Sequence, residues 1–138
     1  MLVAVPYGSS VSMRHVFGSE SPAMKYQTVE SILSDISSRD CSEIKGVVCT
    51  DYAYWTREVL GCGQVFGFFD FANPGTETGK FNGGHDFLVI DGRFIVDLWL
   101  REVPNWTKQI VFDLESADDA ASVAKYFGDR KRWTLVSR

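Results

Sequence analysis

The chain has 138 residues, 45% hydrophobic, 23% charged and 14% aromatic, with a formal net charge of −4; this suits one domain (1–138) with a sizeable core, and the acidic balance excludes a general nucleic-acid role. No apolar run approaches the ~20 residues that span a bilayer, and residues 1–6 lack a basic n-region and a long apolar h-region, so neither a membrane segment nor a signal peptide is expected. Three cysteines (Cys41, Cys49 and Cys62) and two histidines stand at no disulfide or zinc spacing, so we expect no metal, no cofactor, and a reducing, cytoplasmic setting, or export as an effector without a cleavable signal.

Residues 1–23 read as a short extended lead followed by a Gly-, Ser- and Pro-rich loop that carries His15 on the surface. From 24 to about 39, Val29, Ile32, Leu33 and Ile36 recur as a helical stripe, with Ser21-Pro22 as cap and first-turn proline. In the connector 40–48, Cys41 stands among Asp40, Ser42 and Glu43, acids that disfavour its thiolate. A second helix starts near Cys49 and runs to about Leu60, with Asp51 in its first turn and Gly61 ending it. Cys49, Ala53, Thr56 and Leu60 share one stripe, with Tyr52, Trp55 and Val59 beside it.

Residues 65–71 are apolar on both faces and predict a central strand. Residues 72–84 read as a loop whose tip, 76–80, could move over a cleft. A hairpin follows, 85–90 and 93–99 about Asp91-Gly92. A two-residue loop would pair Ile90 with Arg93 and put His85 and Asp97 on opposite faces. A three-residue loop through Arg93, or a bulge, pairs Phe87 with Asp97 and His85 with Trp99, all on one face. If His85 and Asp97 work together, the hairpin must contain that odd residue. Residues 103–107 read as a turn, and the glycosylation tripeptide Asn105-Trp106-Thr107 within it as chance. A strand at 110–114 follows, then a cap at Ser116, a helix to about Phe127 that buries Val123 and Phe127 and stops at Gly128, and a last strand at 133–136. Arg130-Lys131-Arg132 reads as a solvated turn.

Three residues concentrate chemistry. A helix N-terminus carries roughly half a positive charge, which favours the thiolate of Cys49. A thiolate attacks an acyl carbon best with a histidine to hold or return the proton, here His85. A carboxylate that accepts from the ring orients it, here Asp97, which would otherwise be costly inside an apolar run.

These motifs resemble the papain-like cysteine hydrolases and acyltransferases, specifically their transglutaminase-like branch. The resemblance rests on Gly46-Val47-Val48-Cys49-Thr50-Asp51-Tyr52-Ala53, on Val65-Phe66-Gly67, on Gly84-His85-Asp86-Phe87, and on Asp91-Gly92-Arg93 leading to Asp97-Leu98-Trp99, so it covers about 46–99. It implies an α+β fold with the nucleophile helix packed on an antiparallel sheet, flanked by N- and C-terminal helices. It implies a catalytic triad in which Cys49 is nucleophile, His85 general base and then acid, and Asp97 the orienting carboxylate. Asp86-Phe87 stands where Ala-Trp is frequent, and Leu98 where Pro is frequent. The NlpC/P60-like endopeptidases share the logic, but their Asp-Cys-Ser is not matched by Val48-Cys49-Thr50. The backbone N–H of Cys49 is the natural first oxyanion donor. Glu43, six positions upstream, cannot donate when ionised, and Gln27, Gln64, Tyr52 and Trp106 remain open as side-chain donors.

The expected function is thiol-dependent hydrolysis of an amide (peptidase or amidase) in a peptide or protein substrate, by way of an acyl-thioester. The alternatives are transglutaminase-type transfer to an amine, and a non-catalytic peptide- or protein-binding module on the same scaffold. Trp55, Phe69, Trp99 and Trp106 are the expected cleft walls.

Overall fold

The computed structural model describes residues 24–137; the lead, His15 and the Ser21-Pro22 cap lie outside the described residues. The first helix, α1 (Val29–Ile36), spans its apolar stripe and is shorter than the expected 24 to about 39. Thr28 is the reason. Its backbone is extended, its hydroxyl accepts the Ser31 N–H, and the Ser31 hydroxyl accepts the Thr28 N–H. This reciprocal capping box starts the helix at Val29, and Ile32 and Ile36 turn inward. Helix α2 (Cys49–Leu60) runs between the expected ends and closes on Gly61 in the left-handed conformation. Its inner stripe is Cys49, Tyr52, Ala53, Thr56 and Leu60.

Five antiparallel strands form one sheet in the order β4-β3-β2-β1-β5. They are β1 (Gln64–Phe69), β2 (Gly84–Ile90), β3 (Phe94–Val96), β4 (Val111–Asp113) and β5 (Thr134–Ser137). The central strand is β2, with β1 beside it, and Phe71 leaves the sheet as an exposed side chain. Between β2 and β3 the turn takes three residues. Asp91 and Gly92 both have positive φ (53° and 64°), and the Arg93 N–H reaches back to the Ile90 carbonyl at 3.0 Å. Ile90 therefore faces Phe94, Val89 faces Ile95 and Leu88 faces Val96. One step further, Phe87 comes opposite Asp97, so His85 and Asp97 share a face. The Arg93 guanidinium forks onto the Asp113 carboxylate, both contacts at 3.0 Å, and ties the turn to β4.

Two expectations need correction. The strand predicted to 99 ends at Val96, because the chain turns into a short helix, α4 (Trp99–Glu102). The segment read as a loop, 72–84, contains helix α3 (Glu77–Asn82), capped by the Thr76 hydroxyl on the Gly79 N–H at 2.8 Å. It is not a free flap. The last helix, α5 (Ala120–Phe127), follows a single 3-10 turn at Ala117–Asp119 that Ser116 caps. It buries Tyr126 and Phe127, while Val123 is only half-buried.

The last carbonyls of a helix have no partner within it, and here the rest of the chain supplies them. Thr78 donates to the Tyr126 carbonyl at 2.6 Å; Asn73 and Trp133 donate to that of Phe127 at 3.1 and 2.7 Å. Helix α5 and the 73–79 segment thus hold each other in place. Among the described residues no helix is long and apolar enough to cross a membrane.

Thr78 is fully buried, so Thr78→Val should leave the Tyr126 carbonyl without its donor and lower stability in urea unfolding by about 1–3 kcal/mol. Amide exchange across 76–82 should accelerate in the same variant; unchanged exchange would show that α3 is held by something else.

Candidate active site

Helix α2 begins without a side-chain cap, which leaves Cys49 at the bare positive end of the helix. The loop before it is held by Trp99, whose indole N–H donates to the Val47 carbonyl at 2.8 Å. The Cys49 Sγ accepts the backbone N–H of Asp86 at 3.3 Å. The Asp86 side chain fixes this approach from the other side: its Oδ2 accepts the Thr50 hydroxyl at 2.6 Å, tying β2 to the first turn of α2. Its Oδ1 lies over Gly67, where any Cβ would collide with it. A side chain at 67 would have to displace this carboxylate from its bond to Thr50.

His85, second residue of β2, is 2% exposed. Its Nε2 lies 2.6 Å from Asp97 Oδ2. Rings of Trp99, Phe127 and Phe87 surround it at centroid distances of 5.0, 5.8 and 5.9 Å. The other nitrogen, Nδ1, is buried without a hydrogen-bond partner, on a ring that also interacts with Cys49. Complete burial pushes the imidazole pKa down. The Asp97 charge and hydrogen bond, with a smaller contribution from Cys49, push it up by more, to about 9 from an ordinary 6.5.

Asp97 is 4% exposed, so it is paired rather than facing water. Its Oδ1 accepts the Leu100 N–H at 3.3 Å, and its own N–H donates to the Ile110 carbonyl at 2.8 Å. Asp97, just past the end of β3, thus also accepts from the first turn of α4. The structure therefore brings Cys49, His85 and Asp97 together.

The other two thiols lie elsewhere. Cys41 is pushed up first by burial and then by Glu102, with Asp40 a minor influence, so the expected cause, its sequence neighbours, is the lesser one. Burial also pushes the Cys62 thiol up.

A cleft of about 500 Å³ opens at the thiol, lined by Cys49, His85, Asp86, Asn82, Thr134 and several apolar side chains. Of the four expected wall residues only Phe69 lines it. Trp99 is buried behind His85. Trp55 bonds the Glu43 carboxylate at 2.8 Å, and Trp106 packs on Phe81. None of Gln27, Gln64, Tyr52 or Trp106 lines the cleft, whereas Asn82 does. Asn82 was hidden inside the segment read as a loop; its one signal was an amide at a helix end before Gly83-Gly84. Among the described residues no group of three or more His, Cys, Asp or Glu side chains is arranged to hold a metal ion.

No family model matches the chain, no curated protein matches it, and no solved structure matches it.

The raised imidazole pKa has a sign that can be measured. The ion pair with Asp97 adds stability that is complete below about pH 6.5 and is lost as the pH rises through about 9. An NMR titration of the His85 ring, assigned with a His15→Gln variant, should show its midpoint near 9. In Asp97→Asn the midpoint should drop to 6.5 or lower, since burial then meets less opposition. A wild-type midpoint at or below 6.5 would contradict the ion pair.

Proposed function

We propose that the protein is a thiol-dependent hydrolase of the papain-like, transglutaminase-like kind, acting on an amide bond in a peptide or protein. Cys49 is the nucleophile, His85 the proton carrier and Asp97 the carboxylate that orients the ring. One observation carries this reading. A buried histidine has one nitrogen on a buried carboxylate at 2.6 Å, and its other nitrogen is unpaired on a ring that interacts with a thiol at a helix N-terminus.

The chemistry follows from the charge state. With the imidazole pKa near 9, the ring is protonated at neutral pH. The attacking form is the thiolate, with the Asp86 N–H and the helix N-terminus on the sulfur, and His85 begins as the acid. Sγ bonds to the substrate carbonyl carbon, and the carbonyl oxygen takes the negative charge. The Cys49 N–H is its backbone donor, and Asn82 is the amide side chain lining the cleft. As the C–N bond breaks, His85 Nδ1 gives its proton to the leaving amine. Water attacks the thioester, its proton passes to Nδ1, the acid departs and the thiolate returns. An amine in place of water would give acyl transfer by the same steps, and a product analysis with added glycinamide separates the two. A free thiol nucleophile also suits a reducing, cytoplasmic setting.

Reactivity tests the reading without a known substrate. At pH 6, iodoacetamide should label Cys49 at least about tenfold faster than Cys41 or Cys62, followed by peptide mass spectrometry. His85→Ala should slow the labelling of Cys49 by about tenfold or more, whereas Cys41 and Cys62 should not change. Equal, slow labelling of the three thiols would end the proposal.

A further inference from the structure

The cleft is uneven in polarity. Val47, Val48, Phe69 and Val136 line it, and each is well exposed although large and apolar. Phe71, 84% exposed, stacks on Phe69 at 5.5 Å and extends this surface outward. Single exposed apolar residues are ordinary, but a contiguous group beside a nucleophile marks a binding surface. Among the described residues no lysine or arginine lines the cleft, and Asp86 is the only carboxylate that does. That carboxylate is held in place by the Thr50 hydroxyl on Oδ2, while Oδ1 lies over Gly67.

We infer that this wall selects the acyl half of the substrate: Cys49 accepts an apolar acyl chain, and Asp86 turns away one that carries a carboxylate. The inference rests on the thiol-hydrolase reading and adds a substrate class to it. An apolar chain beside the scissile carbonyl removes Phe69 and the valines from water, with a gain for each methylene covered. A substrate carboxylate in the same space meets a fixed like charge with no lysine or arginine among the described lining residues to offset it, the His85 imidazolium being already paired with Asp97. A cationic chain meets an attraction, so the discrimination is by sign and not by polarity alone.

Simple esters test both halves on the full chain. In the acylation step Sγ bonds to the ester carbonyl carbon, the C–O bond breaks, and p-nitrophenolate leaves with the electron pair; water later releases the acid. Rates would be measured as p-nitrophenolate release above the Cys49→Ala background. The hexanoate ester should acylate Cys49 at least about tenfold faster than the acetate ester, with butyrate between them. The adipate monoester, of equal length with a terminal carboxylate, should be about tenfold slower than hexanoate, and the 6-aminohexanoate ester faster than the adipate. Phe69→Ala, at an exposed position, should reduce the hexanoate-to-acetate ratio. Asp86→Asn should bring the adipate and 6-aminohexanoate esters within about threefold of each other. Equal rates for acetate, butyrate and hexanoate, with Cys49 still required, would overturn the inference and leave the thiol chemistry standing; the apolar wall would then serve another occupant, such as a second copy of the chain. Discrimination between the charged esters that survives in Asp86→Asn would overturn the role of Asp86. No release above the Cys49→Ala background with any ester would remove both the inference and the reading beneath it.

Discussion

A carboxylate and an imidazole 2.6 Å apart, both nearly withdrawn from water, constrain most of what surrounds them. Neither group would stay charged there alone; an unpaired carboxylate in an apolar interior costs several kcal/mol and protonates instead. Asp97 is tolerated because each of its oxygens has a partner, His85 on one side and the Leu100 N–H on the other. The ring is tolerated because Asp97 neutralises it while Trp99, Phe87 and Phe127 exclude water. The same exclusion strengthens the pair, since charges interact more strongly in a poorly polarisable surround. Strand β3 stops at Val96, and Asp97, its N–H still on the Ile110 carbonyl, opens the turn into α4.

That geometry depends on one residue in a turn. With Ile90 opposite Phe94, the parity of the hairpin puts the histidine and the aspartate on one face. With a two-residue loop they would point apart, and no side-chain rotation would repair it. Asp91 and Gly92 take the left-handed conformations that the longer turn needs, and Arg93 anchors it to Asp113. Trp99 couples this hairpin to helix α2. Its ring packs against His85, and its N–H holds the Val47 carbonyl just before Cys49. Asp86 makes the second coupling, through Thr50 and through its own N–H on the sulfur.

What was legible in the sequence had local causes. Helix α2 was legible to its ends because its apolar stripe and Gly61 both lie within the segment. The hairpin was legible as a condition, since side-chain parity alone shows that His85 and Asp97 meet only with an odd residue; which turn forms depends on contacts as distant as Asp113. Helix α3 was not legible. Its sequence is rich in Gly, Thr and Asn, and it is held by hydrogen bonds such as Thr78 to the Tyr126 carbonyl, some fifty residues away. Asn82 was lost with it. The cleft walls failed for a different reason: aromatic residues are as common in cores as in clefts, and Trp99 is a core residue that serves the site from behind. The α+β scaffold with an antiparallel sheet was expected from the resemblance; the site's outer surface was not legible at all.

The comparison between thiols shows why position outweighs residue type here. Cys41 and Cys49 are almost equally buried, at 9% and 8% exposed, so burial cannot distinguish them. Their contacts do. Cys41 has the Arg39 carbonyl within reach of its sulfur, at 3.9 Å, and burial and Glu102 push its thiol up although Arg101 opposes them. The Cys49 sulfur accepts an N–H, a contact that the ionised sulfur makes better. Cys62 lies just beyond the C-terminal end of the very helix that Cys49 opens, where the dipole has the opposite sign and favours cations. One helix therefore has a thiol near each end, and of the two only Cys49 meets an imidazole ring, an amide N–H and the positive pole together.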